Sequence, residues 1–494
     1  MHRAPREPAG RWRPRLGAGA LAAALLLAGC ATSAPPAPST SRASAIPTPT
    51  SRPTPTGPAG PVGVPIPGIT AWSSYHADQA RTGAVGPGAS LASLTQAWSA
   101  DLGGAVYGQP VVADGRVIAA TETNRVVALD PATGNVVWSA SLGDPLTDVG
   151  SVAGCGNIDP LGITSTPAID TSTGTVFVVG EVASGGGAVH HQLQGFSIVT
   201  GQVVLSEPVD PPLPPGEDPV HLLQRASLAV ANGRVYISYG GNYGDCGSYH
   251  GWVVGVNETG APDLVSFEAA PDGQGGAIWQ GGGAPAIDTA GDLYVSTGNS
   301  NPDPAAGGPD PIQNAESVVK LSPDLKPLAS FKDRTAGGDD DLGTGNPVLL
   351  PGGQLFIAGK TDVGFVLRQS DLSVVGTVGG LCGSDPDGGA AYDPATGHLF
   401  VPCRGGGIQL VDLAAARLGP RLPGANGAPI VVGGTVWAVQ YPAGTISQFD
   451  ASTGTLLQRQ QIGEAVPNFT SPSTVLGLLL VGTDRGIVAF RGGG

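Results

Sequence analysis

A short pattern of apolar runs and tight polar turns recurs through most of the 494-residue chain. The clearest copy starts at Gln109 and reads QPVVADG, RVIAATE, NRVVALD, PATG, NVVWSASL. Four short strands joined by turns fit this copy. The Asp130–Gly134 segment supplies an Asp to bond nearby amides and a Gly that accepts positive φ. Related turns recur at Asp170, Ser197, Asn257, Asp393 and Asp450. First strands begin near Val111, Pro167, Leu228, Pro285, Pro347, Ala390, Pro429 and Thr474, which makes eight units. From Gly134 to Gly454 the units average about 53 residues, close to a four-stranded propeller blade.

The eighth unit supplies only three strands before the chain ends, near Ser473–Val475, Leu478–Val481 and Ile487–Phe490. A spare strand, TQAWSADL from Thr95, precedes the first unit. Pairing the two closes the ring and hides strand edges that otherwise invite aggregation. The expected fold is therefore all-β: an eight-bladed propeller of four-stranded blades, its last blade completed by an N-terminal strand. Composition agrees. Gly (79) and Pro (46) make up about a quarter of the chain, only 13% of residues are charged, and 41% are hydrophobic. That excludes a helical bundle and a globally disordered chain, and suits strands separated by many turns.

The N-terminus reads as an address and a tether. Five Arg lie within residues 1–15, an apolar run covers 16–28, and Leu27-Ala28-Gly29-Cys30 resembles a bacterial lipobox. Residues 1–29 are expected to be a lipoprotein signal peptide, with Cys30 lipidated. Residues 30–69, rich in Pro, Ser, Thr and Ala, are expected to hold a propeller domain of residues 70–494 off the membrane. The predicted location is the outer face of the bacterial cytoplasmic membrane. Removing residues 1–29, with five Arg and one Glu, takes the net charge from −15 to −19. An acidic chain without a basic stripe is not expected to bind nucleic acid. A monomer is expected.

If strands run outward from the axis, the connections between blades and those between second and third strands share one face. Cys155 and Cys382 lie in the former, Cys246 and Cys403 in or beside the latter. In an oxidising compartment this predicts Cys155–Cys246 and Cys382–Cys403 disulfides. The same rim carries long insertions at 181–191, 240–250 and 299–316. Long loops gathered on one face of a rigid scaffold point to function there.

The stretch VVALDPATGNVVW, Val126 to Trp138, resembles the repeat of the pyrroloquinoline-quinone (PQQ) enzymes and their relatives. In that family the Trp docks under a neighbouring blade's turn. Trp138 fits, whereas Leu205, Leu264 and Gln458 stand at the matching places, so one complete docking motif is expected. Three more stretches resemble quinoprotein alcohol dehydrogenases. LYVSTGNSNPDP from Leu293 implies Asn299 as a calcium ligand. GKTDVGFVL from Gly359 implies Lys360 against the quinone oxygens. GDDDLGTGNPVLL from Gly338 implies Asp339 or Asp341 as the general base.

The departures weigh against that chemistry. There is no adjacent Cys-Cys pair and no haem motif. Asp303-Pro304 replaces the expected Trp, and Glu181 is displaced by a Gly-rich insertion. His190-His191 and His250 lack metal-site spacing and read as rim hydrogen-bonding groups. Two functions are carried forward. The first is a membrane-anchored binding or scaffold module that holds a protein or saccharide on its rim or in its channel, as the cofactor-free outer-membrane assembly-factor propellers do. The second is a PQQ- and calcium-dependent alcohol or polyol dehydrogenase, in which an Asp takes the hydroxyl proton and hydride passes to the quinone.

Overall fold

The computed structural model describes residues 71–86, 91, 93–301, 314–383 and 385–492, all within one compact unit spanning 63–494. Cys30 and the expected signal peptide and tether lie outside the described residues. Eight four-stranded antiparallel blades form the unit. Blade one is Val111–Ala113, Arg116–Ala120, Arg125–Leu129 and Val136–Ser141, in the order the repeat implies. Blade eight takes Ser473–Val475, Leu478–Gly482 and Gly486–Gly492 from the C-terminus and Leu94–Asp101 from the N-terminus. Leu94 pairs with Gly492 and Asp101 with Gly486, so the expected clasp closes the ring.

The turn chemistry is local and repeated. Asp130 Oδ1 accepts from Ala132 N at 2.9 Å and Thr133 N at 3.0 Å. Gly134 follows at φ 72°, and a Cβ there would sit 2.6 Å from the Trp98 ring. Glycine is thus required twice, for the backbone and for the indole beneath it. Trp98 donates from Nε1 to Pro131 O at 2.9 Å, and Trp138 donates to Ile198 O at 2.7 Å. Docking tryptophans therefore stand in two blades, correcting the expectation of one. The second is the clasp strand's own Trp, which lies before the first full repeat. At the same position in blade seven, Gln458 bonds the main chain of Leu91 and Leu94.

The core is a ring of interblade layers rather than one centre. First-to-third strands are almost wholly buried, while fourth strands alternate exposed and half-buried residues on the outer edge. This explains the low charge: most of the strand surface faces another blade.

Residues 71–86 add an element with no repeat signature. The segment crosses one end of the central channel and bonds the first strands of blades one to seven in turn. Trp72 N donates to Val112 O, Ile169 N to Ser73 O, and the Gln79 amide to Val230 O. Ile287 N donates to Gln79 O, Leu349 N to Ala80 O, Tyr392 N to Thr82 O, and Val431 N to Gly83 O. Gln109 ties in blade eight: it accepts from Trp72 Nε1 at 2.9 Å and donates to Ser471 Oγ at 3.0 Å. Arg81 is fully buried here, with its guanidinium on Pro285 O, Ser74 Oγ, Tyr75 O and Asp78 O. Burial lowers its pKa to about 10. Burial likewise lowers His76 to about 3, so this ring is neutral, and it stacks on Tyr75 at 4.1 Å.

Both disulfides join the pairs that the face assignment expects, Cys155–Cys246 and Cys382–Cys403. The 181–191 insertion is mostly strand, not loop: Thr175–Gly185 and Ala188–Ser197 form one long hairpin. Part of the 299–316 insertion lies outside the described residues.

Candidate functional site

With one end of the channel closed by residues 71–86, the other end forms a cup of about 590 Å³ on the disulfide-bearing face. Its wall comes from two sets of segments. Those leading into first strands supply Tyr107, Arg225, Trp279, Asp341, Asp387 and Phe469. Those leaving second strands supply Gly241 to Asp245, Lys360 and Arg404. Cys155–Cys246 pins one side, beside Asn157 and Asp245.

Three of the residues singled out from sequence converge. Lys360 Nζ lies 2.6 Å from Asp339 Oδ1 and 2.7 Å from Asp341 Oδ2. Asn299 joins them through its main chain, whose N–H donates to Asp341 Oδ1 at 2.7 Å. Its side-chain amide donates instead to Gly338 O at 3.4 Å. Asp339 is exposed, and Asp341 is 2% exposed. Of the two acids that the spacing left open, Asp341 is the one built into the wall. Burial raises the Asp341 pKa, opposed by the Lys360 charge and the Asn299 N–H. The two carboxylates hold Lys360 protonated well above the usual lysine range, against the opposing effect of burial.

Glu316 stands behind this pair and was not singled out. Its Oε2 accepts from Leu342 N at 2.8 Å, and burial together with the Asp341 charge pushes it up to about 9. Glu181 is not in the cup. It is 2% exposed, paired across the hairpin with His191, whose Nδ1 meets Asp210 Oδ1 at 2.7 Å. Burial and the neighbouring Glu122 raise the Glu181 pKa well above the usual range. His190 bonds Ser184 Oγ, and His250 Nδ1 meets a Glu217 oxygen. Among the described residues no cluster of His, Cys, Asp and Glu has the form of a metal site.

Trp279 lies in the Gly-rich stretch GGAIWQGGG from Gly275. It forms part of the cup wall and donates from Nε1 to Gly241 O at 2.9 Å. A Cβ on Gly240 would sit 2.5 Å from that nitrogen, so the glycine admits the indole. Arg225 has a faint sequence signal, a cation just ahead of the apolar strand that starts blade three in HLLQRASLAV. It is 6% exposed.

Residues 92–276 match the family model described as outer membrane protein assembly factor BamB. Over that stretch the chain carries repeats of the PQQ-like type, set in an eight-bladed propeller. Solved structures agree at the level of fold. The PQQ-like propeller superposes on the quinohemoprotein alcohol dehydrogenase of Comamonas testosteroni with a TM-score of 0.67 at 18% identity, covering 86% of this chain and 81% of that one. A europium-containing methanol dehydrogenase gives 0.66 at 15% identity, covering 84% and 90%. BamB of Moraxella catarrhalis gives 0.53 at 11% identity, covering 80% and 99%. No curated protein matches the sequence.

Proposed function

We propose that this PQQ-like propeller is a lipid-anchored extracytoplasmic binding module whose central cup takes a small ligand. The observation that carries the reading is the blind cup itself. Residues 71–86 seal one end of the channel, and a wall of mixed aromatic, apolar and charged groups surrounds the other. Its volume of about 590 Å³ lies within the usual range for small-molecule sites. Lipidation of Cys30 and the tether would place the module on the outer face of the cytoplasmic membrane. The BamB likeness adds the rim as a protein-facing surface.

The quinone reading is favoured by one observation, the presence of Trp279 and Lys360 in the same cup. Its acidic groups suit a cavity with Arg225, Lys360 and Arg404 in the wall. Calcium does not fit this donor set. It asks for six to eight oxygens. Here the Lys360 ammonium already bridges the two carboxylates, and the Asn299 amide donates to a carbonyl. Glu181, the remaining acid that the resemblance would call upon, faces His191 instead.

Titration of the full chain with saccharides, short peptides and PQQ, read by indole fluorescence with Trp279→Phe as control, tests the reading. A saturable change lost in Trp279→Phe supports the cup. No saturable change with any probe removes it. PQQ binding that requires calcium and yields alcohol-dependent dye reduction would replace the module reading with the enzyme one. Release of Cys30→Ala from the membrane fraction tests the anchor.

A further inference from the structure

The three cations of the cup are not equivalent. Lys360 is bridged by Asp339 and Asp341 at hydrogen-bond distance. Arg404 lies 4.0 Å from Asp385 and 3.8 Å from Asp387, and is 44% exposed. Arg225 has no carboxylate within ion-pair distance among the described residues, and is the most buried of the three cationic side chains. A guanidinium carries five N–H donors. Among the described residues one protein acceptor is met, Asn468 O at 3.3 Å from Nη2.

The surroundings are built to hold this group. Its carbon Cζ lies 5.7 Å from the centre of the Tyr107 ring and 5.6 Å from that of Phe469. The two aromatic contacts stabilise the cation without occupying its in-plane donors. Phe469 is braced by Tyr441, edge-on at 5.8 Å. Gly282, at φ 83°, gives up its side chain to the guanidinium: a Cβ there would sit 2.4 Å from Nη1. The acids that act on Arg225 through space are Glu122 and Asp387, and burial raises each to about 7, which weakens them as counter-charges. Burying a cation without a partner is costly, and the cost is offset when an anion meets it. A planar fork of free donors suits a carboxylate, which it can bind through two parallel bonds.

We propose that the cup is an acid-binding site in which Arg225 takes the carboxylate of the ligand, with the ligand body lying on the aromatic wall that includes Trp279. This rests on the binding-module reading and names its ligand class: a small organic acid with a ring body, either a sugar acid or an aromatic acid. Hydroxyl groups on that body meet the Lys360–Asp341 pair, which is already neutralised and offers no second free charge.

Calorimetric titration of the full chain with glucuronate against glucose, and with benzoate against benzyl alcohol, tests the inference. At least one acid binds saturably, and its neutral counterpart binds tenfold weaker or worse. Arg225→Met removes the preference, and Arg225→Lys restores part of it. The two pairs tell a sugar acid from an aromatic one. Equal binding of acid and neutral probe, or undiminished acid binding by a folded Arg225→Met, overturns the role of Arg225 and leaves the cup standing. No binding by any of the four overturns both. Phenylglyoxal mapping reads the site without a variant. Arg225 is modified in the free protein and protected by the acid that binds; modification unchanged by that acid overturns the proposal.

Discussion

Lys360 Nζ lies 2.7 Å from the Oδ2 of Asp341, a carboxylate that is 2% exposed. Removing the ammonium leaves this acid buried beside Glu316 with the Asn299 N–H as its remaining strong partner. Lys360→Met is expected to lower stability by about 3 kcal/mol at pH 7, the order seen when one member of a buried pair is deleted. The loss shrinks as the pH falls, because Asp341 without its lysine takes up a proton more readily. The double variant Lys360→Met, Asp341→Asn recovers most of it. Urea unfolding of the four proteins of this cycle decides the matter; full additivity of the two single changes would contradict the coupling.

Glu122 gives the molecule a stability slope of opposite sign to that of an ordinary salt-bridged acid. It is fully buried, one oxygen accepting from Gly162 N and Thr164 Oγ, and burial raises it from 4.5 to about 7. Between those values the folded state keeps a proton that the unfolded chain has released. Stability therefore falls as pH rises from 4.5 to 7, by about 3 kcal/mol for this group, and levels off above. Glu122→Gln keeps an acceptor for Gly162 N and flattens that part of the profile. A profile identical to the parent's would show that the carboxyl titrates normally.

These two acids also show where sequence reasoning reaches and where it stops. The blades were legible because Asp130, Ser197, Asn257 and Asp450 mark the same turn, a local structure set by neighbouring residues. Asn299, Asp341 and Lys360 were legible because each sits in a stretch with a family pattern, and strand spacing carries all three to one rim. Glu122, Arg225 and Phe469 carry no such pattern. They come from different blades and acquire their surroundings only when the ring closes. Residues 71–86 are illegible for a different reason: most of their hydrogen bonds to the blades join main chain to main chain, which leaves no residue preference to read.

The disulfides differ in access. Cys382 and Cys403 are 4% and 0% exposed, whereas Cys155 and Cys246 lie half-buried on the cup rim. Thiol exchange needs an approach path to sulfur. Mild reductant in native buffer is expected to open Cys155–Cys246 first and weaken ligand binding by loosening the Gly241–Asp245 wall. Cys382–Cys403 opens when the fold does. Alkylation followed by peptide mapping shows the order, and early labelling of Cys382 or Cys403 would refute it.

The tryptophan of the clasp strand predicts an energetic symmetry between blades. Trp98 is 8% exposed, lies under Gly134 and bonds Pro131 O; Trp138 lies under Gly201 and bonds Ile198 O. Trp98→Ala and Trp138→Ala are each expected to cost about 3–5 kcal/mol from lost burial and the cavity left behind. Chemical denaturation compares them. A negligible loss for Trp98→Ala would mean the ring closes without this dock.

The N-terminal segment makes the last prediction. Its main chain bonds blades one, two, four, five, six and seven at 2.8–2.9 Å, and its Gln79 amide reaches blade three. At roughly 1 kcal/mol net for each such bond, the segment contributes several kcal/mol beyond the burial of Trp72 and Tyr75. A chain beginning at residue 71 is expected to melt as the longer protein does, since it keeps every one of these bonds. A chain beginning at residue 92 keeps the clasp strand but loses the floor of the channel. Its melting temperature falls by roughly 5–8 °C on that bond count, and the cup no longer retains a ligand. Adding residues 71–86 back as a peptide restores part of the melting temperature, because the main chains of seven blades still present the same donors and acceptors. Equal melting of the two truncated chains would mean that the blades hold the ring unaided and that the segment only fills the channel.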